Sequence, residues 1–377
     1  MSGHNEAALS EPPHVRVAYV VGWEGGADTG PYKKIAEQAR IWQSLGADIK
    51  LFVLTTTENA AAWESLGQTA QVITREPDPL RLSLQKERLL RHALSWRPQL
   101  VYHRYSLAYP GLVMAVRRVP VVVEVNTDDL REYRLIAPRK GIVNAVSRGL
   151  VLGKVAGLVA VTQELAESRS FARFSRPTVV VANGIDLGSV REMPRPTGER
   201  IRLIFIGQPH CPWHGLDKVI QLALARPQWH IDVVGPNWDE IRALAGAIPA
   251  NILAHGLLDG PGYELILAQA HIGLGSLALY RKGMTEASTL KLREYLAVGL
   301  PSIIGYTDTD FPNGAPFLLQ LPNRPDNVSS SLSAIDEFIS SQAGRRVARA
   351  SIAHLDSLNK ERRRLRFLSS VSAVGHV

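Results

Sequence analysis

Cysteine is almost missing from this chain: Cys211 is the only one in 377 residues. A single thiol excludes an intrachain disulfide and a cysteine-based zinc site, and Cys211 reads as a reduced bystander. Long apolar runs are missing too. None approaches the roughly 20 residues that span a bilayer, and the polar opening MSGHNEAALSEPPH lacks the apolar centre of a signal peptide. These absences lead to the expectation of a cytoplasmic protein. Acidic residues are the minority charge, 35 against 43 Lys and Arg, for a net charge of +8. That balance favours anionic partners: nucleotide phosphates, an anionic membrane surface or nucleic acid. Nucleic acid is set aside, because no recognised binding motif or aromatic-basic interleaving accompanies the charge. The excess gathers at Arg131, Arg134, Arg139, Lys140, Arg148 and Lys154, and again from Arg345 to Arg366. Such clusters are either solvated helix faces or a peripheral contact with the inner face of a membrane.

What is present is a repeated pattern of short apolar runs that end in glycine. VRVAYVV (15–21) leads into Gly22, and IRLIFI (201–206) leads into Gly207. Each is followed by a loop and a helix-like stretch, as first strands of doubly wound units are. Further strand-like runs fall at 49–54, 100–102, 119–125, 157–161 and 178–181, then at 230–234, 251–254, 271–274 and 301–304. Helical patterns separate most of them, which predicts parallel sheets covered on both faces. The expected organisation is a disordered N-terminus (1–13), a first Rossmann-like domain (14–190), a linker (191–200), a second (201–358), and a C-terminal helix and tail (359–377). Ligands of such folds bind at the carboxyl ends of the strands, here in an interdomain cleft.

The segment GMTEASTLKLREYLAVGLPSII (283–304) is the most specific in the chain. It sets Glu286 and Glu294 eight residues apart with a helix start between them. Ser288 or Thr289 can cap that helix, and Gly299 and Pro301 stop it. A helix N-terminus suits a phosphate, and a carboxylate can take paired hydrogen bonds from adjacent sugar hydroxyls. The expected ligand is a nucleotide-sugar. The glycine-rich loop GWEGGADTGPYKK (22–34) opens the first helix, and Gly25, Gly26 and Gly30 allow close backbone approach to a ligand. Lys33 and Lys34 beside it could meet an anionic acceptor or face water.

With these residues in view, the chain resembles the GT-B fold glycosyltransferases, specifically the retaining family 4. The match rests on EASTLKLREYLAVGLPSII, on VVVANGID (179–186), on LIFIGQPHCPWHGLDKVIQLA (203–223) and on YHRYSLAYPGLVMAVRRVPVVVEVN (102–126). The resemblance implies two tandem Rossmann-like domains and transfer of a sugar to a glycan or lipid-linked acceptor, as in envelope polysaccharide assembly. It implies that Glu286 contacts the transferred sugar, that Glu294 holds the ribose, and that backbone at Ser288, Thr289 and Leu290 meets the distal phosphate. It places the loop of Gly25, Gly26 and Gly30 over the donor phosphates and acceptor, Gly207 and Gln208 at the second phosphate loop and His255 beside the base, and it implies no metal and no cofactor beyond the donor substrate. Where relatives carry an arginine and a lysine for the leaving diphosphate, this chain has Gln208 and His214, the latter partly protonated near pH 7. Lys282, Lys291 and Arg281 are the nearby cations that could substitute. Where many relatives place a catalytic histidine, EVNTDDL (124–130) offers Asn126, with His103 on the preceding strand; both are candidates for the reacting centre. The adjacent Asp128 and Asp129 are not the spaced pair that other glycosyltransferases use for metal. Trp213 reads as a core residue. The missing cations leave a second reading open, a non-catalytic GT-B subunit that supports a partner enzyme; a sugar-nucleotide epimerase is disfavoured by the glutamate pair beside NGID.

Overall fold

In the computed structural model, residues 15–196, 198, 200–258 and 260–374 are described. The expected N-terminal segment and residues 375–377 of the tail lie outside them. The first domain runs β1 (Arg16–Gly22), α1 (Gly30–Ser44), β2 (Asp48–Thr55), α2 (Ala60–Glu64), β3 (Ala70–Thr74), α3 (Pro79–Ser95) and β4 (Leu100–Arg104). It continues through α4 (Pro110–Ala115), β5 (Val121–Val125), α5 (Asp129–Ile136), α6 (Pro138–Leu152), β6 (Gly157–Ala160), α7 (Gln163–Glu167), α8 (Arg169–Ala172) and β7 (Thr178–Val180). Its seven strands are ordered β3-β2-β1-β4-β5-β6-β7 and pair in parallel. β1 shows why: Val17, Tyr19 and Val21 enter one core, Ala18 and Val20 the other, so both faces are covered.

The second domain contains β8 (Arg202–Ile206), α9 (Leu216–Ala225), β9 (His230–Val234), α10 (Trp238–Ala245), β10 (Ile252–Gly256), α11 (Gly260–Gln269) and β11 (Ile272–Leu274). β12 (Glu286–Ala287), α12 (Leu290–Ala297), β13 (Ser302–Ile304), β14 (Thr307–Asp308), β15 (Leu318–Gln320) and α13 (Leu332–Gln342) follow. Its main sheet has the order β10-β9-β8-β11-β13-β15, and β12 pairs with β14 apart from it. Strand order reverses beside β1 and again beside β8, which sets the loops after these strands at the switch points where doubly wound sheets bind ligands.

The last helix, α14 (Ser357–Val374), returns to the first domain. Leu365, Leu368 and Val371 pack with Val17, Tyr19 and Trp42, and Glu361 accepts from the Trp42 indole at 2.7 Å. The segment at the expected linker is irregular but anchored: Met193 N–H donates to Val298 C=O, and Arg346 donates to Pro194 C=O at 2.7 Å. An apolar cluster continues from the first sheet into Met284, Ala287 and Leu292, so the two domains are packed together along one side of the cleft.

Candidate functional site

α12 starts in the interdomain cleft with its N-terminus bare. Thr289 is the N-cap, yet its hydroxyl bonds the Tyr306 hydroxyl at 2.7 Å instead of capping. Ser288 does not cap either. Its buried hydroxyl accepts from Asn183 N–H at 2.8 Å and from Arg293 at 2.9 Å. The expected caps are thus drawn away by a buried network in which Arg293 also holds Asp308 and Asp310. Among the described residues, the backbone N–H groups of Thr289, Leu290 and Lys291 meet no acceptor. A helix start in this state carries its full partial positive charge.

The glycine loop of the first domain faces this helix end. A Cβ placed on Gly30, the first residue of α1, would come within 3.0 Å of the Leu290 side chain. α1 lacks a side-chain cap as well, because the Thr29 hydroxyl donates to Gly26 C=O and accepts from the Trp23 indole. Gly25 and Gly26 are less open to a ligand: a Cβ on Gly25 would meet Thr29 and Trp23, and one on Gly26 would meet Asn59. Lys33 sits 3.9 Å from Glu294 across the cleft. Burial pushes the Glu294 carboxyl above its usual range, and Lys33 opposes that rise. Lys34 neither faces water nor reaches for an acceptor; it is buried and donates to Glu124 at 2.8 Å and to Asn126 at 3.1 Å.

The loop after β8 completes the wall. Gly207 C=O lies so close to Gly235 that a Cβ there would reach 1.9 Å, so only glycine fits this crossing of strand ends. Gln208 N–H donates to His214 Nδ1 at 2.9 Å, which leaves the ring proton on Nε2, a donor. Burial, reinforced by Lys291 and Lys282, pulls the His214 pKa well below its ordinary value. The ring is therefore neutral at pH 7 and not partly protonated as its free value suggested. Trp213 is half-buried rather than a core residue, with the Lys282 ammonium 4.3 Å above its ring.

The three candidate cations have different fates. Arg281 forms a fork on Asp217 at 2.7 and 2.8 Å and is unavailable to a ligand. Lys282 crosses the cleft to Glu132 at 2.6 Å. Lys291, in the first turn of α12, has its ammonium buried with no hydrogen-bond partner among the described residues. It lies over the face of Phe205, 5.1 Å from the ring centre. Burial brings its pKa from 10.5 down to about 7. An unpaired buried donor of this kind is costly unless a ligand completes it. Cys211 is close by, and burial raises its thiol to about 11, so it is inert at neutral pH.

Glu286 is in use even without a ligand. Its Oε2 accepts from Glu164 N–H at 2.6 Å, at the start of α7. Glu164 answers: its carboxylate accepts from Thr285 and Glu286 N–H at 2.8 and 2.7 Å. This reciprocal clasp joins the domains at the cleft. Nothing in the spacing of the signature pointed to Glu164, because its partner lies 122 residues away.

The remaining candidates each have surroundings of their own. Asn126 spends both ends of its amide, accepting from Lys34 and donating to Glu124 at 3.1 Å. Burial alone would raise Glu124, but Lys34, Arg364 and Arg104 outweigh it and hold that carboxyl well below the usual range. His103 is buried against Tyr109, and burial brings it down to about 4, so it is neutral. His255 bonds buried Asp232 at 2.8 Å, in a cluster with Arg202 and His230. Asp128 caps α5, and Asp129 pairs with Arg148 at 2.7 Å. Each of these two carboxylates thus has a structural partner.

Two facing Rossmann-like domains with a cleft suited to an anion define the GT-B architecture. Residues 29–184 match the family model described as a glycosyl transferase 4-like domain, which covers the greater part of the first domain. No curated protein matches the sequence. Among solved structures, the chain is similar to Anabaena HepE in complex with UDP and glucose, at 15% identity and a TM-score of 0.66, over 95% of this chain and 100% of that one. It is also similar to sucrose-phosphate synthase from Thermosynechococcus elongatus, at 12% identity and 0.63, over 95% and 97%. UDP-GlcNAc 2-epimerase from Neisseria meningitidis shares the fold at 14% identity and 0.53, over 91% and 99%. These similarities show the fold; an epimerase among them means that the fold alone does not select the reaction.

Proposed function

We propose that the protein is a retaining, metal-independent glycosyltransferase that moves a sugar from a nucleoside-diphosphate sugar to a glycan or lipid-linked acceptor. The observation that carries this reading is the buried ammonium of Lys291, without a hydrogen-bond partner among the described residues, at the uncapped start of the helix whose Leu290 meets the glycine loop. A leaving diphosphate supplies what that group lacks. Thr289 and Leu290 N–H groups, Lys291 and the Nε2–H of His214 then hold its oxygens, and Gly30 lets the first domain close over them. Glu286 offers its other carboxylate oxygen to sugar hydroxyls, and Glu294 takes the ribose. In a same-face transfer the departing phosphate oxygen takes the acceptor proton, and His103 and Asn126 are not needed for it. The basic excess fits an anionic glycan or lipid-linked acceptor, as envelope glycoconjugate assembly presents.

The neutral His214 and uncharged Gln208 favour one second reading, a subunit that binds a nucleotide-sugar without turnover. A thermal-shift panel of nucleotide-sugars, followed by release of nucleoside diphosphate on the best ligand, separates the two. UDP-glucose heads the panel because HepE was seen with UDP and glucose. Stabilisation without release moves the assignment to the second reading, and no stabilisation by any member removes both.

Two variants test the donor contacts. Glu294→Ala is expected to weaken nucleoside-diphosphate binding roughly tenfold, since it removes a charge-assisted hydrogen-bond acceptor. Equal affinities by calorimetry would contradict a ribose contact. Glu164→Ala leaves the Thr285 and Glu286 N–H groups without their acceptor and loosens domain closure. The expected outcome is a donor KM raised about tenfold with kcat less affected.

A further inference from the structure

α6 buries Val151 and Leu152 at its C-terminal end, but over the rest of its length the usual pattern is inverted. Its inner face carries Asn144 and Arg148, both fully buried and both bonded to Asp129. Arg148 is further fixed by the Ser170 carbonyl at 2.7 Å and lies over the Phe171 ring. Its outer face carries Ile142, Val143, Val146 and Leu150, spaced as one helical stripe and exposed by 70%, 56%, 81% and 56%. An ordinary surface helix does the reverse. Leu135 and Ile136, exposed at the end of α5, extend the stripe. Arg134, Arg139, Lys140 and Lys154 are exposed around it and form no ion pair among the described residues.

We infer that this face docks on an anionic lipid bilayer, with the apolar stripe in the interface and the four cations against the headgroups. Exposed contiguous apolar surface marks an interaction site, and an apolar stripe with basic flanks is the pattern of a helix that lies in a membrane surface. Charge selects the bilayer over a second copy of the chain. A two-fold contact through this stripe would bring together two faces whose flanking charges, Arg134, Arg139, Lys140 and Lys154, are all positive, whereas an anionic leaflet neutralises them. The face also connects to the cleft: α5, which ends at Ile136, sends Glu132 to Lys282 and Arg131 to the Gly283 carbonyl. Docking would therefore hold the cleft beside the membrane, whatever reaction occurs there. Among the described residues no helix is long and apolar enough to cross a membrane, so the contact is peripheral.

The test is flotation of the full-length protein with vesicles of phosphatidylcholine alone or with about one-third phosphatidylglycerol. The wild type is expected to float with the anionic vesicles and to detach as salt rises. Val146→Glu/Leu150→Glu should reduce binding roughly tenfold or more, with an unchanged melting temperature because both residues already face water. Arg139→Glu/Lys140→Glu should lose roughly fivefold per removed cation, on anionic vesicles only. Leu244→Glu, an exposed position on the second domain, should bind as wild type. Absence of wild-type binding, or full binding by the Val146/Leu150 variant, overturns the inference. So does a concentration-dependent dimer in sedimentation that the same variant dissolves, which would make a second copy the occupant.

Discussion

Lys291→Met is expected to lower the rate of sugar transfer by about 10²–10³ while raising the melting temperature of the ligand-free protein. Both effects have one cause. The ammonium is buried without a hydrogen-bond partner among the described residues, so it weakens the fold until the donor brings charge to it. A fall from 10.5 to about 7 corresponds to a cost on the order of 5 kcal/mol when the group is fully charged. The sign follows from linkage. Between pH 7 and 10.5 the unfolded chain holds the proton that the folded chain has released, so stability through this group rises with pH across that window. Below pH 7 the full cost is present. Methionine keeps the length and apolar stem and removes this slope. A diphosphate beside Lys291 should restore its ordinary basicity, so donor binding near pH 8 should take up close to one proton, and affinity should fall as pH rises further. Calorimetry in buffers of different ionisation enthalpy reads that uptake. If transfer by the methionine variant is unimpaired, or its proton uptake equals that of wild type, Lys291 does not carry the leaving group.

The fold was open to sequence reading because its signals are local. Buried parallel strands such as β1 and β8 are continuous apolar runs, and glycine ends each at the place where the ligand loop must turn. The strands read poorly are the short edges: β3, whose residues are only half-buried, and β15, which begins at Leu318. α14 shows a different limit. Its helical pattern was plain, but its destination depends on Glu361, whose partners Gln38 and Trp42 lie more than 300 residues away. The site divides in the same way. Glu286, Glu294 and the start of α12 could be read from spacing, since they lie within one segment. The state of each cation could not. Arg281, Lys282 and Lys291 look alike in sequence, and only packing against Asp217, Glu132 and Phe205 distinguishes a fork, a bridge and an unpaired charge. Asn126 and His103 sit at strand ends of the expected kind, but a strand end does not reveal that Asn126 is bonded to Glu124 or that His103 is buried beside Tyr109.

Glu286 has two jobs in the proposed reading, and two substitutions separate them. The first is the clasp, in which one carboxylate oxygen accepts from Glu164 N–H at 2.6 Å. The second is contact with the transferred sugar through the remaining oxygen. Glutamine keeps an oxygen for the clasp and loses the negative charge; alanine loses both. Glu286→Gln is therefore expected to leave the melting temperature and nucleoside-diphosphate affinity near wild type and to reduce kcat by about 10³ or more, because a charge that stabilises the transition state acts most strongly in a closed cleft. Glu286→Ala should show the same catalytic loss, with lower stability and a raised donor KM from loosened closure. A purely structural Glu286 predicts the opposite ranking: near-normal turnover in the glutamine variant and damage only in the alanine one. Single-turnover transfer together with thermal melts of the two variants decides between them, since the structural role moves the melt and the catalytic role moves the rate.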